Sequence, residues 1–357
     1  MGRSASLILA LAGGWAIAIQ ARVTGALKLE LGDAALAAAV TFGSGLALMI
    51  GVNVATRANR QGVARMVSGG LKGRYPAVFM FSGLLGAYAV FGQGASVDLI
   101  GVAVFSLVFI GGQMVASAVL DSAGWVPAGR TRLGAARLLG ILVACAGVLL
   151  ALSVRFDAGG RVDGGSGWVS DDAGTTGLLG LIVPLLIVFT GGLVQPAQMA
   201  MNGVVSAAVG RPEPLVLFNY LTGTLALVIV AWPAIAAGGL VRLPLGPGDW
   251  WYYTGGLPGS LVVIGGALLT QTIGSLLYTL GLVAGQVSGA LVMDSLWPTP
   301  GVLVGWQTVT GGALTIMALV LASAGNLRII LLGRGGRGAA VKNAHGGIAE
   351  EGDLRVR

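Results

Sequence analysis

The sequence predicts an all-α integral membrane protein: ten transmembrane helices arranged as two inverted five-helix repeats. Three observations carry this. The 357 residues are 55% hydrophobic and only 10% charged, with mean hydropathy +0.87, whereas soluble domains carry about 25% charged residues. The apolar residues fall into runs close to the ~20 residues that cross a bilayer. The second half of the chain also repeats the first.

Span 1 lies in Met1–Thr24. Ala16-Ile17-Ala18 resembles a signal-peptide cleavage site, but the segment has a partner deeper in the chain and is read as a membrane helix. Spans 2 to 10 are expected near 35–56, 76–95, 97–120, 134–154, 177–201, 214–238, 250–271, 273–294 and 301–324. Spans 3 and 4, and spans 8 and 9, are separated only by Gly92–Asp98 and Gln271–Gly274, so each pair reads as a tight helical hairpin. Residues 57–75 read as a basic loop, and the tail 326–357 as a disordered, basic segment near anionic inner-leaflet lipids.

Ten spans put both termini on one side. Of 21 Lys and Arg, only five (Arg22, Lys28, Arg155, Arg161 and Arg242) then fall on the other side. Basic residues mark the cytoplasmic side, so both termini are expected there, with the loop 156–175 outside. The net charge of +7 belongs to loops and tail rather than to a soluble domain, so no nucleic-acid partner is expected.

The organising stretch is Gly112–Ser122, GQMVASAVLDS, which returns at Gly285–Ser295 as GQVSGALVMDS, 173 residues on (285 − 112). Earlier in each half the offset is 178. Gly13-Gly14, Gln20, Gly25 and Gly32 match Gly191-Gly192, Gln198, Gly203 and Gly210, and Phe42-Gly43-Ser44-Gly45 faces Tyr220-Leu221-Thr222-Gly223. At 173, Gly83, Gly86, Gly101 and Phe105 match Gly256, Gly259, Gly274 and Tyr278. The repeats are 1–155 and 176–325. Five spans per repeat is an odd number, so the second enters the membrane inverted, an architecture common among secondary transporters.

Polar residues inside the spans are the candidates for function. Gln195, Gln198 and Asn202 share one face of span 6, where Pro196 interrupts the backbone ladder, and Gln20 is the partner in span 1. Span 4 carries Gln113, Ser117 and Asp121; span 9 carries Gln286, Ala290 and Asp294. Two roles stay open for the amides: contact with a substrate, or hydrogen bonding between packed helices. Two also stay open for the aspartates: taking up and releasing protons at depth, or capping backbone at the headgroup level, where Trp125 and Trp297 follow them. Phe42, Tyr220 and Tyr278 are candidates to line a pocket for a flat or cationic ligand.

The single cysteine, Cys145, lies in an apolar run, and the single histidine, His345, in the tail. No metal site, cofactor motif or catalytic triad can be built from that inventory, and the loops are too short for a soluble catalytic domain.

The GG…Q…(N/T)G pattern of spans 1 and 6, the G-(T/S)-G of spans 2 and 7, and the GQ…(L/M)DS…W of spans 4 and 9 resemble the YdcZ-type branch of the drug/metabolite transporter superfamily, in its fused ten-helix form. The resemblance covers about residues 7–324. Where the first half has Arg137-Leu138-Leu139-Gly140, typical of that branch, the second has Thr308-Val309-Thr310-Gly311 and lacks the matching arginine. The resemblance implies an inner-membrane transporter of small molecules, often exporting and often cation- or proton-linked. It also implies a central cavity between spans 1–4 and 6–9, with spans 5 and 10 as support.

The expectation is therefore a secondary transporter of a small metabolite or drug-like molecule working by alternating access as an exporter, with proton coupling one of the two roles left open for its aspartates. It is not expected to be an enzyme, and it works as a monomer or homodimer among membrane lipids. Gln20, Gln113, Gln198, Asn202, Gln286, Tyr220 and Tyr278 would contact the substrate, and Asp121 and Asp294 would gate or couple. The rivals are a non-transporting scaffold or regulatory subunit, and an intramembrane enzyme, which would need more acidic, His or Arg residues than the second half holds.

Overall fold

In the computed structural model, residues 2–123, 135–157, 178–238, 243–299 and 304–323 are described. The loop 156–175, apart from the end of a helix at Asp157, and the tail 326–357 lie outside them, as does the side chain of Asp121. The regular secondary structure of the described residues is all helical, with no strand among them.

Helix α1 spans Arg3–Leu31 and ends at Gly32, whose left-handed backbone (φ 73°) lets its N–H reach the Lys28 carbonyl. Asp33 then accepts from Leu36 N at 2.7 Å and caps α2, Ala34–Ala55. Glycine stop and aspartate start are the ordinary signals of a helix-to-helix turn. The expected basic loop is instead a helix, α3 (Arg57–Leu71), capped by Thr56 on Asn59 N. Its small and apolar residues Gly62, Met66, Gly69 and Gly70 are buried while Arg57, Arg60 and Arg65 stay exposed. Its one-sided pattern is helical, though too polar to cross a membrane.

After a 3₁₀ turn at Ala77–Phe81, α4 runs from Gly83 to Ala123. Next come α5 (Ala135–Asp157), α6 (Leu178–Val209, with Pro184 and Pro196 inside), α7 (Glu213–Val230) and the short α8 (Trp232–Ala236). A second 3₁₀ turn at Asp249–Thr254 leads to α9 (Gly256–Leu296), and α10 covers Trp306–Ser323.

The 41 residues of α4 would measure about 61 Å if straight, twice a bilayer core. They are not straight. Gly101 has φ 79° and ψ 167°, and its repeat mate Gly274 in α9 has φ 80° and ψ 158°. Only glycine takes that backbone cheaply. A Cβ built on Gly191 of α6 would lie 3.6 Å from Ala89 Cα and 3.5 Å from the Phe109 ring. Ala89 and Phe109 are twenty residues apart, about 30 Å along a straight helix, so the chain doubles back at Gly101. Likewise Tyr278 Oη donates to the Val262 carbonyl, sixteen residues away, at 3.1 Å. The expected hairpins are therefore present, but the first turns at Gly101 and not within Gly92–Asp98, which is helical. Nine helices among the described residues are long and apolar enough to cross a membrane, with 77–120, which doubles back at Gly101, taken as one.

Packing follows the repeat. The two largest interfaces are α1 with α9 and α4 with α6, so helices of one half lie mainly against those of the other. A Cβ on Gly14 would come within 2.0 Å of the Leu282 carbonyl oxygen, and one on Gly192 within 2.1 Å of the Phe109 carbonyl oxygen. A Cβ on Gly285 would meet Leu11 O at 2.1 Å, and one on Gly112 would meet Phe189 O at 2.2 Å. These contacts are images of each other under the 178 and 173 offsets. Helices without side chains at the crossing can approach closely, which is how membrane helices gain packing energy when lipid removes the hydrophobic drive. At the periphery, Gly140 and Gly147 of α5 meet Ala318 and Gly311 of α10 in the same way.

Candidate functional site

Phe42 and Tyr220 are repeat mates (220 − 178 = 42), and they touch edge to face, with ring centroids 5.1 Å apart and planes at 67°. Mates in contact lie on the axis that relates the two halves. Each ring rests on a glycine of the other half, Tyr220 on Gly45 and Phe42 on Gly223, where an added Cβ would sit 2.3 Å from the ring. This aromatic pair marks the centre of the molecule.

The two expected glutamines flank it. Gln20 in α1 and Gln198 in α6 are 7% and 6% exposed. A Cβ on Gly259 would lie 3.0 Å from Gln20 Oε1 and 2.6 Å from Tyr220 Oη; on the matched Gly86 it would lie 2.6 Å from Gln198 Nε2. Gln20 Nε2 also reaches Gln93 Oε1 at 3.5 Å. Tyr220 donates to the Gly256 carbonyl at 2.6 Å, whereas Phe42 has no hydroxyl for its side. The symmetry is therefore broken in chemistry though kept in shape: one flank holds two amides and a phenol, the other the single amide of Gln198.

Asn202 stands one turn further along α6, towards the membrane face that carries α3. Its Oδ1 accepts from Asn219 Nδ2 at 3.2 Å and lies 2.9 Å from Ser82 Oγ, which is also 2.8 Å from Asn219 Oδ1. The hydroxyl has one proton and serves one acceptor at a time. Asn202 Nδ2 is left buried and unpartnered. The Nε2 of Gln286, 2% exposed beside the Gly14 crossing, is in the same condition. Burying an amide donor without a partner costs about 1–3 kcal/mol, so each of these amides holds a spare donor.

Other expected residues fall elsewhere. Gln113 is half-buried on the second leg of α4, near the α6 crossing. Tyr278 points back onto its own hairpin, held by Val262 O and packed over Gly266. Asp294 is 3% exposed and accepts from Val102 N at 3.0 Å and Ala103 N at 2.7 Å. These are the first free N–H groups after the Gly101 elbow, so Asp294 caps the second leg of α4 from the opposite half. An apolar groove of about 240 Å³ between α4, α5 and α6, lined by Val108, Leu152, Leu185 and Phe189 among others, holds none of the polar residues above.

Reading the sequence misses the strongest electrostatic feature. Lys28 and Asp98, assigned to polar breaks between spans, form an ion pair inside the helices with side chains 4% and 1% exposed. Arg22, counted only among the charges of the outer side, is 4% exposed, donates to the carbonyls of Trp297 (3.0 Å) and Pro298 (3.4 Å), and lies 4.6 Å from the Trp297 ring centroid. The one available signal is that Lys28, Asp98 and Asp294 all sit beside residues matched in the repeat.

Fold and site together define a multi-pass, all-helical membrane protein whose polar residues gather at the contact of two related halves. The chain belongs to the family described as "Putative inner membrane exporter, YdcZ", whose model matches residues 5–150 and 183–321. It is thus a member of an inner-membrane transporter family. No curated protein and no solved structure matches the chain.

Proposed function

We propose that the protein exports a small molecule across the inner membrane by alternating access between two inverted five-helix repeats, 1–155 and 176–325. The observation that carries this is the convergence of the repeat-matched Gln20 and Gln198 on the Phe42–Tyr220 pair at the axis between the halves. The two matched segments of the family, one in each half, support the same division. Exposed arginines on α3 support a cytoplasmic position for that face and for the termini.

Amides, a phenol and an aromatic ring offer hydrogen bonds and π faces but no fixed charge. They suit a flat, neutral or weakly cationic solute. Alternating access would open the closed centre to each face in turn, offering Gln198 and the spare donors of Asn202 and Gln286 to the solute. Asp294 has both carboxylate oxygens engaged as a cap, which favours a structural role for it over proton carriage; Asp121 stays the candidate for coupling.

The test is solute flux and solute-driven proton flux in proteoliposomes, screened over neutral and cationic metabolites. Gln20→Leu and Gln198→Leu should abolish flux of any solute that the intact protein carries. Asp294→Asn should retain flux, and Asp121→Asn should lose the proton component. Flux unchanged in both glutamine variants would contradict the site, and no flux with any solute would favour a non-transporting scaffold.

A further inference from the structure

An inverted repeat makes the two membrane faces nominally equivalent, because each half at one face has its image at the other. Comparing matched positions shows where equivalence fails. At the face of the Gly101 elbow stand Arg22, Lys28 and Asp98; their repeat mates, at the face of α3, are Ala200, Ser206 and Gln271. Among the described residues the fully buried charged side chains stand at this face, whereas at the face of α3 Arg211 and Glu213 form a partly exposed pair 3.8 Å apart.

Their connections run between two packed bodies, α1 with α9 and α4 with α6. Lys28 on α1 pairs with Asp98 on α4, and Asp294 on α9 caps Val102 and Ala103 on α4. Trp297 and Trp251, 4.7 Å apart, lie against Arg22 in the same region. Opening a path at this face means pulling α4 from α1 and α9, which breaks the ion pair. Breaking a buried pair strands a charge in low dielectric and is strongly unfavourable. Nothing ionic has to be broken in the same way at the mates of these residues.

We propose that Lys28 and Asp98 are gate residues: a charge latch that holds the face of the Gly101 elbow shut and makes the resting carrier close there and open towards α3. The proposal rests on the transport reading above and adds to it an unequal pair of gates. Asp98 Oδ1 and Arg22 Nη1 have no partner in the latched arrangement, so the latch is not saturated and can exchange partners as it opens.

The test uses a Cys145→Ala background with a reporter, Thr24→Cys, one helical turn below Lys28 and fully buried. A membrane-impermeant thiol reagent is applied from each side of oriented vesicles. The intact latch should protect the reporter from the elbow side. Lys28→Met and Asp98→Asn should each raise its labelling from that side by about a hundredfold, and the exchange Lys28→Asp with Asp98→Lys should restore protection. A second reporter, Ala18→Cys, buried between α1 and α9, should stay unlabelled throughout, which separates opening from unfolding. Unchanged labelling in the single variants of a protein that carries solute overturns the latch and leaves the transport reading standing. The expected labelling in a protein that carries no solute overturns the gate role, because the pair is then only a seal.

Discussion

Replacing Gly14 with alanine tests the crossing on which the fold depends. The new Cβ would lie 2.0 Å from Leu282 O, 2.4 Å from Gln286 N and 2.6 Å from Gly285 C, all backbone atoms that no rotamer change can move. Cβ contacts below 3.0 Å are essentially never seen, so α1 and α9 must part by 1.0 Å or more (3.0 − 2.0). A gap of that size forfeits a quarter to a half of the dispersion well along the contact, and overpacking costs about 1–3 kcal/mol. Taking about 3 kcal/mol for so large an interface, and crediting alanine with about 1 kcal/mol of better helix propensity, leaves a net loss of about 2 kcal/mol. Gly192→Ala, the repeat mate at 2.1 Å from Phe109 O, should lose as much. Gly51→Ala in α2, with nothing within 4 Å, should be neutral or gain about 0.5–1 kcal/mol. Thermal unfolding in detergent, followed by tryptophan fluorescence and by loss of the monodisperse peak, measures all three. Equal midpoints for Gly14→Ala and Gly51→Ala would refute the close crossing.

Three further outcomes follow from local geometry, each measured by the same unfolding assay. Gly101→Ala and Gly274→Ala force a side chain into a backbone near φ 80° and should each cost about 1–3 kcal/mol; wild-type stability in either would contradict the elbow. Asp33→Ala removes the cap on Leu36 N and should cost about 1 kcal/mol, with Asp33→Ser recovering most of it. Tyr220→Phe keeps the ring on Phe42 but loses the hydrogen bond to Gly256 O. It should cost about 0.5–1.5 kcal/mol and lower solute affinity in the flux assay more than it lowers stability; a pure stability effect would place Tyr220 outside the site.

Much of this arrangement is legible in the sequence, and the reasons are physical. The repeat survives as glycines because a crossing that would put a Cβ about 2 Å from a backbone oxygen tolerates no other residue, so Gly14 and Gly192 stand out in the sequence alone. Gln20 and Gln198 stand out because an amide in an apolar run is costly, and finding it at matched positions implies one role for both. Asp294 is legible as unusual, but its partners are two backbone N–H groups of the other half, which no local pattern reveals. The elbow is displaced from its expected place because polarity points to Gly92–Asp98, whereas the turn needs a positive φ and takes it at Gly101. Lys28 and Asp98 mislead for the same reason. A charge near the end of an apolar run reads as the edge of the membrane, and only the fold shows that these two neutralise each other inside the protein. Tyr278 has the composition of a pocket residue, yet its hairpin folds back and gives its hydroxyl the Val262 carbonyl.

Access to Gln198 from the two faces is the most direct measure of the central claim. In the Cys145→Ala background, a cysteine at position 198 is offered an impermeant thiol reagent from one side of the membrane and then from the other. The account predicts labelling from both sides, slower from the latched elbow side, as expected for one buried site that opens to each face in turn. Labelling from one side only under every condition, or from neither, would contradict alternating access through this centre.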